Sequence, residues 1–181
     1  EALVRAAAVF FASAALLCAA CPAKPELPVI GRVPDFTLTD QRGRAVHGRD
    51  LDGKVVVADF IFTRCTTVCP MLTAQMANFR RRLGEGAERV QFISITVDPG
   101  HDTPQVLAAY AQRHGAPSSW LFLTGDAASI NRVVVQGFRV AMGAVTADTA
   151  GDQGEFDILH AQHFVLVDKH LQRGVGGEAH V

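Results

Sequence analysis

The chain has 181 residues, 17 basic and 18 acidic side chains, and a net charge of −1. That length fits one domain with a proper core plus a tail. Its interspersed charges lack the basic footprint of a nucleic-acid binder, so no nucleic-acid partner is expected. The hydrophobic share of 49% is high for a soluble domain, and part of it comes from the first twenty residues.

Arg5 precedes an uncharged, alanine-rich run from Ala6 to Ala20. A basic start, an apolar stretch and small residues at its end describe an export signal. Cys21 stands where a bacterial lipoprotein carries its lipid, although Cys18 makes the preceding motif unusual. A cleaved peptide, a lipid on Cys21 and an uncleaved membrane helix are the alternatives, and the run is short for a full span. The chain opens on Glu1, so its true start is expected upstream. Three prolines between Pro22 and Pro28 predict a stiff, extended spacer that holds a domain away from a membrane. Residues 1–21 are therefore read as export signal or anchor, 22–31 as linker, and 32–181 as the folded domain.

Along that domain, residues 33–38 read as a short strand, with a turn over Asp40 to Gly43. Lys54 to Phe62 is a continuous β-branched and aromatic run, as a central strand buried on both faces requires. A loop from Thr63 to Cys69 follows, and Pro70 opens a helix to Arg82 with basic residues at its C-terminal end. Val90 to Val97 predicts a second buried strand. Thr103 caps a helix that begins at Pro104 and ends near His114. A strand over 120–123, a helix from Asp126 to about Gln136, a strand over 138–145 and a last apolar strand over 164–167 complete the series. Strands alternating with helices indicate an α/β sandwich around a mostly parallel centre.

Four cysteines form two close pairs. Cys18 and Cys21 lie in or beside the export segment, so their C-x-x-C spacing is accidental. Cys65 and Cys69 lie at the carboxyl end of the central strand, where open α/β sheets place their sites. A structural disulfide there would close a loop too short to stabilise much. Cys69 sits just before the helix, near the positive end of the dipole, which predicts a thiolate. If the loop is partly helical, Cys65 projects to the same side. Two converging thiolates attract a soft metal such as Cu(I), or close into a disulfide when oxidised. A nitrogen donor should complete the set. His47, His101, His114 and His170 fall in turns or helix ends, where solvated surface histidines are the simpler reading, and His180 is in the tail. His160 and His163 remain, just before the last strand, and spacing does not choose between them.

Phe62-Thr63-x-Cys65-x-x-x-Cys69-Pro70, then Val97-Asp98-Pro99-x-x-Asp102-Thr103-Pro104, then His160 five residues before Val165-Leu166-Val167-Asp168, together resemble the Sco/SenC family of copper-binding proteins over about residues 28–173. The resemblance implies a thioredoxin-like central sheet flanked by helices, and a copper ion held by Cys65, Cys69 and His160. It implies delivery of copper to the CuA-bearing subunit of cytochrome c oxidase, or maintenance of that centre's thiols. A second copper chaperone would be the donor. With the export segment, it places the protein in the cell envelope, anchored on the periplasmic side of a bacterial inner membrane. Asp98 matches an aspartate near the family's site, although a plain turn residue would serve as well there. The family continues beyond Asp168 through a strand and a closing helix. Here Gly174 to Val181 ends the chain, which reads as a truncated or diverged C-terminus that would uncover apolar sheet surface.

Two enzymes compete with copper binding. A thiol–disulfide oxidoreductase would use Cys65 and Cys69, but thioredoxin-type enzymes carry C-x-x-C and a proline before the last strand. This chain has a longer spacing and no proline after Ile158. A peroxidase would use Cys69 within Thr66-x-x-Cys69-Pro70, but Phe62 stands where that signature needs proline.

Overall fold

The computed structural model describes residues 29–140, 164–169 and 172–174, with 29–32 and 172–174 as backbone alone. The strands are β1 (Val29–Arg32), β2 (Thr37–Asp40), β3 (Ala45–His47), β4 (Val55–Ile61), β5 (Val90–Thr96), β6 (Leu121–Thr124), β7 (Val165–Val167) and β8 (Gln172–Gly174). The helices are α1 (Val68–Leu83), α2 (Pro104–Arg113) and α3 (Ala127–Asn131), the last running into a π-helical turn over Arg132–Gly137. One sheet holds all eight strands in the order β1-β8-β7-β4-β5-β6-β2-β3.

The centre of that sheet is parallel. Val55 to Ile61 pairs residue by residue with Val90 to Thr96, and Ile93 to Ile95 pairs with Leu121 to Leu123. Parallel neighbours need a crossover, and α1 and α2 supply the two. Both lie on one face: Phe79 of α1 packs edge-on against Phe92, and Thr73 of α1 bonds the Tyr110 hydroxyl of α2 at 2.9 Å. The other face is covered after α3, where Phe138 meets Phe60 at 5.3 Å. Burial from both sides explains why β4 and β5 read as unbroken apolar runs rather than alternating ones. Trp120 stacks on Phe122 at 5.3 Å and anchors the core, with its indole N–H donating to Ser94 Oγ at 2.9 Å.

Several predicted bounds shift for local reasons. The first predicted strand begins only at Thr37, because Pro34 cannot donate to a ladder and the Asp35 carboxylate takes the Phe36 N–H at 3.0 Å. Helix α1 starts at Val68, two residues before Pro70. Proline is tolerated there because the first four helical N–H groups have no intrahelical partner. The helix expected to reach Gln136 is α-helical only to Asn131. Phe138 N–H then donates to Val133 O, five residues back, at 2.8 Å, and Val140 N–H to Val134 O at 3.1 Å. Residues 138–140 thus close a wide helical turn instead of opening a strand, and 141–145 lie outside the described residues. Strands β1 and β3 are the short edges of the sheet, β8 lies between β1 and β7, and none of the three carries a periodic signal. The first occupies the last residues of the segment read as linker, where Val29 pairs with Gly174.

Candidate metal centre

Strand β4 delivers the chain to a loop that begins at Phe62 and ends in the first turn of α1. Cys65 N–H bonds back to Phe62 O at 3.1 Å, which turns the loop over. The Cys69 N–H then donates to Cys65 Sγ at 3.3 Å. The two predicted cysteines therefore converge at the carboxyl end of the central strand, and both are free thiols. Cys65 is half-buried and Cys69 fully buried.

Their acidities are opposite to expectation. Burial raises the Cys65 thiol, but the amides of Cys69, Thr67 and Val68 and the Cys69 thiol point at its sulfur and hold it below the ordinary value. Cys69 is pushed up to about 12, chiefly by burial, with the Cys65 sulfur and the Asp59 carboxylate adding to the effect. The helix-dipole argument thus selects the wrong cysteine. Because α1 begins at Val68, Cys69 lies inside its first turn with its side chain in the core, where desolvation outweighs the dipole. The half-buried sulfur facing the run of amides is Cys65.

The loop is held from below and from the side. Asp102, fully buried in the β5–α2 connection, accepts from Thr63 N–H at 3.1 Å, Thr63 Oγ1 at 2.5 Å and Thr96 Oγ1 at 2.6 Å. Asp98 takes the Arg64 guanidinium at 2.6 and 3.0 Å. Asp98 thus grips the neighbour of Cys65, while its carbonyl accepts from the amides of His101 and Asp102. On the helix side, Thr73 Oγ1 donates to Cys69 O at 2.9 Å and meets the Tyr110 hydroxyl, tying the first turn of α1 to α2. Tyr110 is raised well above the ordinary phenol range, mainly by burial.

Beneath the pair lies Asp59, completely buried on β4. Its register partner Ser94 and the α1-facing Phe92 place it on the helix side of the sheet. Among the described residues neither carboxylate oxygen has a hydrogen-bond partner. Burial pushes its pKa up to about 7. The sequence carried a signal for it, a lone aspartate inside a β-branched run. Thr63 and Asp102 are harder to see, because their bond joins residues far apart in the chain.

His160 and His163 lie outside the described residues. Among the described residues, no group of three histidine, cysteine or acidic side chains converges as a metal site. His47 shares a bond of 3.0 Å with Thr37 Oγ1 on β3, His101 is exposed, and His114 packs on Tyr110 at the end of α2. The chemistry of the pair suits a soft ion, since two sulfurs approach one another and one favours its thiolate. A third donor has to come from elsewhere.

A parallel-centred sheet with a cysteine pair where its central strand passes into the first long helix defines a thioredoxin-like protein. The SCO1/SenC family model matches residues 29–173, and the chain belongs to that family. It is similar to a SCO1/SenC family lipoprotein from Bacillus anthracis str. Ames, with a TM-score of 0.72 and 32% identity over 84% of this chain and 87% of that one. It is similar to copper-bound ScoI of Bradyrhizobium japonicum, with a TM-score of 0.69 and 31% identity over 81% and 87%. It also resembles BsSco, a member of the Sco family of cytochrome c oxidase assembly proteins in which a disulfide switch has been identified. There the TM-score is 0.65, with 30% identity over 84% and 86%.

Proposed function

We propose that this chain binds one copper ion through Cys65, Cys69 and His160 and carries it to the CuA-bearing subunit of cytochrome c oxidase. The observation that carries this reading is the convergence of the two sulfurs, with the Cys69 amide on Cys65 Sγ at 3.3 Å. Copper bound to the Bradyrhizobium japonicum relative supports the choice of ion. His160 is chosen by resemblance, and topology is compatible with it. Val165 pairs with Ala58 and Val167 with Val56, so β7 enters the sheet at the end where β4 leaves it. His160 stands four residues before Phe164, and an extended chain of that length reaches about 14 Å. The proposed setting is the envelope, with the domain tethered through a lipid on Cys21 or a membrane helix. The lipoprotein nature of the Bacillus anthracis relative favours the lipid. Among the described residues no helix is long and apolar enough to cross a membrane, and residues 1–21 lie outside them.

Titration of the reduced chain with Cu(I) and Cu(II) tests the ligand set. Cys65→Ala, Cys69→Ala and His160→Ala should each weaken binding by at least about tenfold, the equivalent of some 1.4 kcal/mol. Undiminished affinity in His160→Ala, with loss in His163→Ala, would overturn the choice of histidine.

A second reading is thiol–disulfide exchange on the oxidase cysteines, and the split between the two thiols favours it. The Cys65 thiolate would attack a substrate disulfide, expelling one substrate thiolate, which takes up a proton, and leaving a mixed disulfide. Cys69, losing its proton, would then attack the Cys65 sulfur, release the second substrate thiolate and leave Cys65–Cys69 oxidised. A chain that binds no copper yet reduces disulfides rapidly would make this the function.

A further inference from the structure

We infer that Asp102 is the positioning residue that sets the approach of the Cys65 and Cys69 sulfurs, acting through Thr63. The inference rests on the pair being the working site. Asp102 has no solvent exposure, and among the described residues no basic side chain pairs with it. A carboxyl group in such a place costs least where strong donors satisfy it. Three do, and two of them belong to Thr63, the residue at which the chain leaves β4 and turns towards Cys65. The third, Thr96 Oγ1, fixes the carboxylate to the end of the neighbouring parallel strand and also accepts the Asp98 N–H at 2.9 Å. Asp98 O in turn accepts from the amides of His101 and Asp102, closing a tight turn. Asp102 is therefore fastened to β5, and the loop is fastened to Asp102.

The other end of the cysteine loop is fixed independently. Cys69 is within α1, and its carbonyl accepts from Thr73. With both ends held, the separation of the two sulfurs is a property of the scaffold. Releasing the Thr63 end lets Cys65 drift from Cys69 and lowers the effective concentration of one thiol at the other. The disulfide then becomes easier to reduce. Arg64 and Asp98 brace the same loop at the surface, but an exposed ion pair is worth far less than buried, charge-assisted bonds.

The experiment measures the equilibrium with glutathione, in which the dithiol and one oxidised glutathione give the protein disulfide and two reduced glutathiones. Copper takes no part in it. Asp102→Asn removes the charge and replaces one acceptor oxygen by a donor, so the Thr63 Oγ1 bond has to reverse and the bonds to a charged group give way to weaker neutral ones. The constant for disulfide formation should fall about tenfold, as loss of a bond to a charged group implies. Thr63→Val, a milder change, should move it in the same direction, and Thr63→Ser should restore it. Val46→Ala, on the far edge strand β3, should lower the melting temperature without changing the constant. Asp102→Asn and Thr63→Val constants equal to wild type, or shifted no more than in Val46→Ala, would overturn the inference. A wild-type chain that fails to bind copper would sink the proposed function and leave this result standing.

Discussion

Iodoacetamide at pH 7 to 8 is expected to modify Cys65 and spare Cys69 in the reduced, folded chain. Alkylation follows the thiolate. The amides converging on Cys65 Sγ hold its acidity below the ordinary thiol value, so its thiolate persists to lower pH. Cys69, pushed up to about 12 and fully buried, stays a thiol across that range. Mass mapping of the labelled peptide checks this, and equal labelling of both sulfurs would refute it. The cysteines themselves were legible from spacing and placement alone. Their polarity was not, because it depends on where α1 begins, and two residues at a helix start decide whether a side chain faces amides or core. Asp59 shows a related limit: its residue type is visible in the sequence, but its lack of a hydrogen bond among the described residues emerges only when both faces of β4 are covered.

At the scale of elements, the turn after α3 depends on a small residue. A Cβ built on Gly137 would stand 2.8 Å from Pro34 Cδ, closer than real carbons approach, and the proline ring is stiff. Gly137→Ala should therefore destabilise the protein by about 1–3 kcal/mol, as overpacking does, measured as a lower denaturation midpoint at unchanged slope. A neutral result would mean that the strap over residues 34 and 137 shifts freely. The helices α1 and α2 were readable because their signals are local: Thr103 caps α2 by accepting the Val106 N–H at 3.3 Å, with Pro104 beside it. The π-helical turn was not, since three consecutive valines fit strand, helix or wide turn, and contact with Pro34 and Phe60 selects among them. Strands β3 and β8, three residues each, are too short for a pattern of their own and are set by their ladder partners, β2 for β3 and β7 and β1 for β8.

For the whole molecule, Asp59 makes stability depend on pH. Its folded pKa is raised from 3.8 to about 7. Well below pH 3.8 the carboxyl is neutral in both states and carries no penalty. As pH rises towards 7 the unfolded chain ionises first, so stability falls, by up to about 4 kcal/mol for a shift of this size. Asp59→Asn should melt higher than wild type at pH 8 and nearly the same at pH 4, and parallel losses at both pH values would refute the assignment. The order of the strands carries a further consequence, for the route by which the chain folds. The parallel core joins segments near in sequence, whereas β7 reaches β4 by pairing Val165 with Ala58, and β1 meets β8 across almost the whole domain. Loop-closure entropy makes such long-range pairings the slow ones. The cysteine loop is built from the early, local part, and its neighbour across β4 arrives late. A newly folding chain therefore completes its cysteine loop before the last strands dock, and in an oxidising compartment the first covalent state open to it is the disulfide.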